Sequence, residues 1–375
     1  MNLKSLLLSS DDKTVRVLRR VLSDLEIDVE HSATSDDVIR RITRRRFEAI
    51  IVDCADTEEA GKVLGAVKAA PVNKRALSIA LVESPVGLKG GFDMGAHFVL
   101  HKPLAVERAK SSFRAVRALM KAERRAQMRI PVQIPVECIG SRRYPAKTID
   151  LCEGGMAIHF SASRARESVL RFSFTLPGTE RKLELWGETA WEGTEDQVGV
   201  RFKNLTEEER STLRNWLNSQ LPELEPESPP HICRLTELSA GGCYLTTNTP
   251  FPKSTRVILS LRNGRFEGTA TGIVRIAHPE FGMGVEFLKF TPQQQGQVES
   301  MVEALRSSPE ATELQVEPDG LEAAISDTPT ASSSAADDAL VNLFRQKSHL
   351  SADAFVKQMH QCQQEPRRSV GASQR

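Results

Sequence analysis

Apolar and polar positions follow two different rhythms along this 375-residue chain. Up to about residue 121, short apolar runs precede stretches with helical spacing. Leu3 to Leu8 is followed by Val15, Leu18, Val21, Leu22 and Leu25, and a stretch from Asp36 to Arg45 precedes Phe47-Glu-Ala-Ile-Ile-Val-Asp53. Side chains three and four residues apart share one face of a helix, whereas a short unbroken apolar run suits a strand buried on both sides. Further strands are predicted at Leu77–Val82 and His97–Leu100. Strand then helix, repeated, predicts an α/β doubly wound parallel sheet with its functional residues at the carboxyl ends of the strands.

From about residue 130 the rhythm shortens to alternating strands punctuated by Gly, Pro and Ser, as in Val132-Gln-Ile-Pro-Val-Glu-Cys and Val169-Leu-Arg-Phe-Ser-Phe-Thr. That spacing predicts a small antiparallel barrel or sandwich. A helix from Thr206 to Leu221 closes the unit, with Thr206-Glu-Glu-Glu as its cap and Leu213, Trp216 and Leu217 as its apolar face. The layout then recurs. Asp150-Leu-Cys-Glu-Gly-Gly matches Glu237-Leu-Ser-Ala-Gly-Gly, Gly199-Val-Arg-Phe matches Gly284-Val-Glu-Phe, and Thr206 matches Thr291, at offsets of 87, 85 and 85 residues. A register held over a domain length predicts two homologous barrels in tandem. The division expected is 1–121, 122–221, an acidic proline-bearing linker at 222–230, 231–306, and a tail at 307–375. Residues 307 to 338 are rich in Ser, Ala, Pro and acids and are expected to be disordered. Beyond them Leu340, Leu343, Phe344, Phe355, Val356 and Met359 have the spacing of a short amphipathic helix. It either docks on a partner or on the second barrel, or stays frayed.

Composition removes several functions. A net charge of +1 provides no bulk attraction for nucleic acid or anionic lipid, so an anion site has to be local. No apolar window approaches the length of a bilayer span, and the opening Met1-Asn-Leu-Lys-Ser-Leu-Leu-Leu-Ser-Ser-Asp is too short in apolar residues for an export signal. The six cysteines show neither CxxC nor His-paired spacing, so reduced thiols in a cytoplasm are expected rather than zinc or disulfides. No nucleophile with a paired base, phosphate-binding glycine loop or DNA-reading helix is evident, which argues against an enzyme and against direct DNA binding.

Two resemblances give the patterns a chemistry. Asp11, Asp53 and Lys102, the last in His-Lys-Pro-Leu, stand at predicted strand ends in the order of a response-regulator receiver domain, a flavodoxin-like fold used in two-component signalling. The resemblance implies Asp53 as phosphoacceptor, Asp11 as an acid that helps hold Mg together with Asp53, and Lys102 as the lysine pairing with phosphoryl oxygens. The departures are Ser10 where a second acid is usual, Val82 where the switch Ser or Thr is usual, and Cys-Ala-Asp-Thr after Asp53. They point to a degenerate pseudo-receiver. A structural ion pair between Asp53 and Lys102 is the alternative to a working phosphorylation site.

The second resemblance rests on Arg125 and Arg129, with Arg124 adjacent, followed downstream by Asp150, Cys152 and Gly155. This is similar to the PilZ domain, whose Arg-x-x-x-Arg and Asp-x-Ser-x-x-Gly motifs bind cyclic di-GMP; Cys152 replaces the serine. The residue chemistry agrees. Guanidinium forks pair with phosphate and with guanine O6 and N7, and they stack on purines. A carboxylate such as Asp150 suits the N1–H and N2–H edge, and cysteine is a weaker hydrogen-bonding group than serine. The copy at Glu237 to Gly242 has no arginine pair upstream and is expected not to bind the nucleotide but to serve packing, dimerisation or partner contact. Val106 to Arg125 is predicted to be one helix, which would couple nucleotide binding to the receiver. The function expected is a cyclic di-GMP effector acting on an output protein, with oligomerisation through the second PilZ domain or the receiver; a ligand-independent scaffold is the alternative.

Overall fold

The computed structural model describes residues 3–83, 90–161, 169–193, 196–220, 231–263, 266–289, 292–307, 313–322, 338–346 and 350–364. The linker expected at 222–230 and most of the stretch expected to be disordered lie outside these residues. Two compact units emerge, one combining residues 1–123 with 228–375 and the other spanning 124–227.

In the first unit, β1 (Leu3–Leu8), β2 (Ile27–Ser32), β3 (Ala49–Asp53), β4 (Leu77–Val82) and β5 (Phe98–His101) form a parallel sheet of order β2-β1-β3-β4-β5. Helices α1 (Asp12–Asp24), α2 (Ser35–Arg44), α3 (Thr57–Ala69) and α4 (Val106–Ala126) accompany it. This is the doubly wound arrangement of flavodoxin-like folds. Successive strand residues feed opposite cores: Leu7 and Ile51 pack with Leu18, Phe113 and Val116 of α1 and α4, while Leu6, Ile50 and Val52 pack with Val38, Val63 and Leu64 of α2 and α3. Burial on both faces explains the unbroken apolar runs.

The second unit is a closed barrel. Strands β7 (Pro135–Ile139), β8 (Arg143–Cys152), β9 (Gly155–Phe160), β10 (Val169–Thr175), β11 (Lys182–Glu192) and β12 (Gln197–Lys203) run in the order β8-β7-β10-β11-β12-β9, and β9 pairs back onto β8. The short β6 (Ile130–Pro131) adds to β8. Helix α5 (Glu207–Gln220) lays Leu213, Trp216 and Leu217 on the barrel core. Its predicted cap is present as a reciprocal pair: Glu209 N–H donates to the Thr206 hydroxyl at 3.3 Å, and Thr206 N–H donates to the Glu209 carboxylate at 2.8 Å.

The first unit also contains the second barrel: β13 (His231–Leu238), β14 (Gly242–Thr246), β15 (Thr255–Asn263), β16 (Phe266–His278), β17 (Gly282–Phe287) and β18 (Glu313–Leu321), closed in the order β13-β14-β17-β16-β15-β18, with α6 (Pro292–Ser307) alongside. Here the structure corrects the sequence reading. Residues 313–321, placed by composition in the disordered tail, form a strand, and the barrel expected to end at residue 306 is closed only by it. The reason is alternation: Leu314 and Val316 are fully buried between β13 and β15, a strand signal that the neighbouring acids, Pro318 and Gly320 obscured. β18 takes the place that β7 holds in the first barrel, so the second barrel has the same ring of strands with the β7-like member moved from its start to its end. Two helices, α7 (Ala339–Gln346) and α8 (Ala352–Gln364), follow and pack on this barrel. Among the described residues, no helix is long and apolar enough to cross a membrane.

Candidate functional site

The arginine pair lies where α4 hands over to the first barrel. Arg124 and Arg125 occupy its last turn, which ends with Met128 N–H donating to the Arg125 carbonyl at 3.0 Å. The chain then enters β6, where Ile130 pairs with Leu151 and Pro131 with Asp150. That short pairing sets Arg129 beside Asp150, and its Nη1 donates to Asp150 Oδ1 at 2.6 Å. The same carboxylate oxygen accepts from Ala157 N–H at 3.2 Å. Both partners of the ion pair remain open to solvent, with side chains 43% and 26% exposed. Arg125 is exposed too, and its guanidinium has no partner among the described residues. Arg129 and Asp150, distant in the chain, are thus brought together, with Arg125 four residues upstream in the last turn of α4.

The glycine turn behaves differently from expectation. Nothing crowds Gly154, whose carbonyl accepts from Phe202 N–H at 3.0 Å. Gly155 is constrained from inside the barrel: a Cβ there would overlap the Val200 carbonyl of β12. Strand packing alone therefore demands glycine at 155, whatever binds outside. Between them Glu153 is buried and fixes the turn through Arg214, whose Nε donates at 3.1 Å, and through Arg210 at 3.5 Å on α5. Cys152, also buried, pairs with Gly155 across the turn and turns no strong donor or acceptor to solvent.

One candidate residue escaped the sequence reading. Across the barrel Asp150 pairs with Ala157, Ala157 with Gly199, and Gly199 with Trp191, so these four residues form one row over β8, β9, β12 and β11. The Trp191 indole lies against Gly199, where a Cβ would strike its ring, and it is 45% exposed. A large aromatic surface held open on the row of Asp150 is suited to stacking a base. The signal was present in Gly199-Val-Arg-Phe, but only strand pairing shows which aromatic the glycine makes room for.

The second candidate site lies at the carboxyl end of the parallel sheet. Asp53 is buried at the end of β3, and both of its oxygens accept from Lys102 Nζ at 3.1 Å. The Ser9 hydroxyl donates to Asp53 Oδ2 at 2.7 Å. Lys102 also approaches Glu83 at 3.4 Å and Asp11 at 3.7 Å. Burial works against the lysine charge, but hydrogen bonding and charge from Asp53 and Glu83 outweigh it and hold its pKa above the ordinary value. Asp11 is engaged elsewhere. It caps α1, accepting from the Thr14 hydroxyl at 2.7 Å and from Lys13 N–H at 2.9 Å, and these bonds hold its carboxyl below the usual range. Among the described residues no group of three or more His, Cys, Asp or Glu is arranged to hold a metal ion. The residues therefore do not fit magnesium at Asp11 and Asp53: the Lys102 ammonium already sits among the carboxylates, and both oxygens of Asp11 are spent on the cap of α1.

Residues 123–219 and 221–304 each match the family model of the PilZ domain. Solved structures similar to the chain include a putative response regulator from Chloroflexus aurantiacus, 20% identical, covering 32% of this chain and 99% of that one with a TM-score of 0.30. A chemotaxis response regulator of Vibrio cholerae is 22% identical over 31% of this chain and 99% of its own, with a TM-score of 0.29. The receiver domain of a sensor histidine kinase from Pseudomonas aeruginosa, with a magnesium ion in its active-site cleft, is 23% identical over 30% and 93%, with a TM-score of 0.26. No curated protein matches the chain.

Proposed function

The chain carries two PilZ domains in tandem behind a receiver-like domain, and we propose that it is a non-enzymatic cyclic di-GMP effector of the cytoplasm whose nucleotide receptor is the first barrel. The observation that carries this reading is the solvent-open Arg129–Asp150 pair, with the exposed Arg125 four residues upstream. A guanine edge offers Asp150 the N–H donors that Arg129 now supplies, which frees both arginines for phosphate oxygens or for guanine O6 and N7. Trp191 adds a stacking face, and Arg124 reinforces the positive rim. Because the ion pair is exposed, opening it costs little, on the order of 1 kcal/mol or less. Cys152 in place of serine lowers affinity without removing the site.

In this reading the nucleotide changes an interaction with an output protein, and α4, unbroken from Val106 to Arg125, links receptor and receiver. The receiver-like domain acts without phosphoryl transfer, its acceptor being held by Lys102. Incubation with a small phosphodonor and magnesium followed by intact mass measurement will show no phosphoryl adduct; an adduct lost in Asp53→Asn would make it a working receiver.

Calorimetric titration with cyclic di-GMP tests the central claim. Wild type will bind in the micromolar range or tighter. Arg125→Ala and Asp150→Ala will each weaken binding by about 10- to 100-fold, as expected when a charged hydrogen-bonding partner worth about 1.5–3 kcal/mol is removed. Glu237→Ala, at the matching position of the second barrel, will leave the titration unchanged. The absence of heat at tens of micromolar ligand would favour the ligand-independent scaffold, a reading that the filled Asp53–Lys102 cluster supports.

A further inference from the structure

The second barrel has a row equivalent to that of Asp150, Ala157, Gly199 and Trp191. Glu237 pairs with Tyr244, Tyr244 with Gly284, and Gly284 with Ile276, on the corresponding strands β13, β14, β17 and β16. In the first barrel Asp150 and Trp191 on this row are open to solvent. In the second it is covered by the chain's own α7 and α8.

The cover is specific at both helices. Asp338 caps α7, accepting from Leu340 N–H at 3.1 Å and Val341 N–H at 3.2 Å through Oδ1, while its Oδ2 accepts from Gly241 N–H at 2.9 Å. Gly241 is the counterpart of Gly154. Val341 and Asp338 crowd it, and Phe344 lies against Gly284, so a Cβ at either glycine would collide with the helices. The Phe344 and Phe355 rings stand 6.1 Å apart and pack with Tyr244 and His278, with Phe355 centred 4.8 Å from the His278 ring. Polar groups close the edges: Arg345 pairs with Glu286, which Arg275 also holds at 2.7 Å, and His360 approaches Glu237 at 3.5 Å.

This contact is built like an interface rather than like a domain core. Tyr244, Ile276, Leu343, Phe344, Phe355 and Met359 form a cluster separate from the one inside the barrel, where Cys243, Leu245, Val285, Leu314 and Val316 pack. An aromatic centre ringed by hydrogen bonds and ion pairs is the anatomy of a protein-binding site. The barrel itself is closed by β18 before the helices begin. Residues 323–337, which join β18 to Asp338, contain mostly Ala, Ser, Thr and Asp. A tether of that length sets an effective concentration of about a millimolar, enough to keep a ligand of modest intrinsic affinity bound.

We propose that this face of the second barrel is a docking site for an amphipathic helical segment, and that residues 338–364 are its tethered and exchangeable occupant. The row that holds Asp150 and Trp191 in the first barrel is, in the second, a row that takes protein. The proposal does not rest on nucleotide binding by the first barrel.

A protease site built into the Ser332–Ala335 run of the full chain provides the test. After cleavage, the released segment will remain associated at high concentration and separate on dilution. A fluorescent peptide of residues 338–364 will rebind the stripped protein with a dissociation constant between about 1 µM and 1 mM, the range a millimolar tether keeps filled. Peptide carrying Phe344→Ala will bind at least tenfold more weakly. Arg345→Glu in the peptide will weaken binding, and Glu286→Arg in the barrel will restore at least part of the loss. Hydrogen exchange across β13 to β18 is read in parallel. A stripped protein that keeps its protection yet takes up no peptide at millimolar concentration overturns the proposal. So does loss of protection throughout the barrel on stripping, since the helices would then be part of its core.

Discussion

At the scale of single residues, the Arg129–Asp150 pair shows how much a motif conveys and where it stops. Residue type and spacing singled out both partners as candidates, but the link between them is made by the two-residue strand β6. Gly155 shows the converse: its motif suggests ligand approach, whereas the Val200 carbonyl is what excludes a Cβ. Buried ionisable groups were invisible in the sequence. His97 accepts a hydrogen bond from Ser78 N–H at 2.9 Å through Nδ1, and burial, with the charge of Lys68 adding, pushes its pKa down to about 4. The neutral form is thus favoured in the folded state. Between about pH 6.5 and 4 the unfolded chain takes up a proton that the folded one refuses, so stability falls on acidification through this window. Urea unfolding of the parallel α/β domain, followed by hydrogen exchange, will show His97→Gln losing about 2 kcal/mol less than wild type between pH 7 and pH 5. Identical pH dependence in the two proteins would refute the assignment.

At the scale of elements, most helices and parallel strands were legible because each carries a full period of its pattern. α4 is one unbroken helix, as predicted, and its Phe113, Val116, Leu119 and Met120 stripe is buried. Near its end the buried Glu123 accepts a hydrogen bond from Leu321 N–H of β18, so the helix that delivers the arginines is also tied to the second barrel. β18 itself was missed because its alternation is brief and lies in acidic, proline-bearing sequence. Its importance is testable. Val316→Asp places a carboxylate at a fully buried position between β13 and β15, and an unpaired charge there costs several kcal/mol. Amide protection in both neighbouring strands will collapse while that of the first barrel persists; retained protection in β13 would mean that the barrel closes without β18.

At the scale of the whole molecule, the two barrels share a ring of strands but not its order along the chain. The first barrel begins with the segment carrying Arg125 and Arg129, then β7; the second begins at the equivalent of β8 and recruits its sixth strand after α6. The missing arginine pair upstream of Glu237 thus reflects the absence of the whole segment that would hold it. By itself the sequence determined the parallel α/β domain, the tandem repeat, and the arginines, aspartate and lysine at its candidate sites, because period and residue chemistry are local properties. Only the tertiary structure decided that β18 completes the second barrel, that Trp191 shares a row with Asp150, that Lys102 occupies the acidic cluster, and that α7 and α8 cover the second barrel. Those are contacts between residues far apart in the chain, and cross-strand register and close packing, which create them, leave no periodic trace in the segments they join.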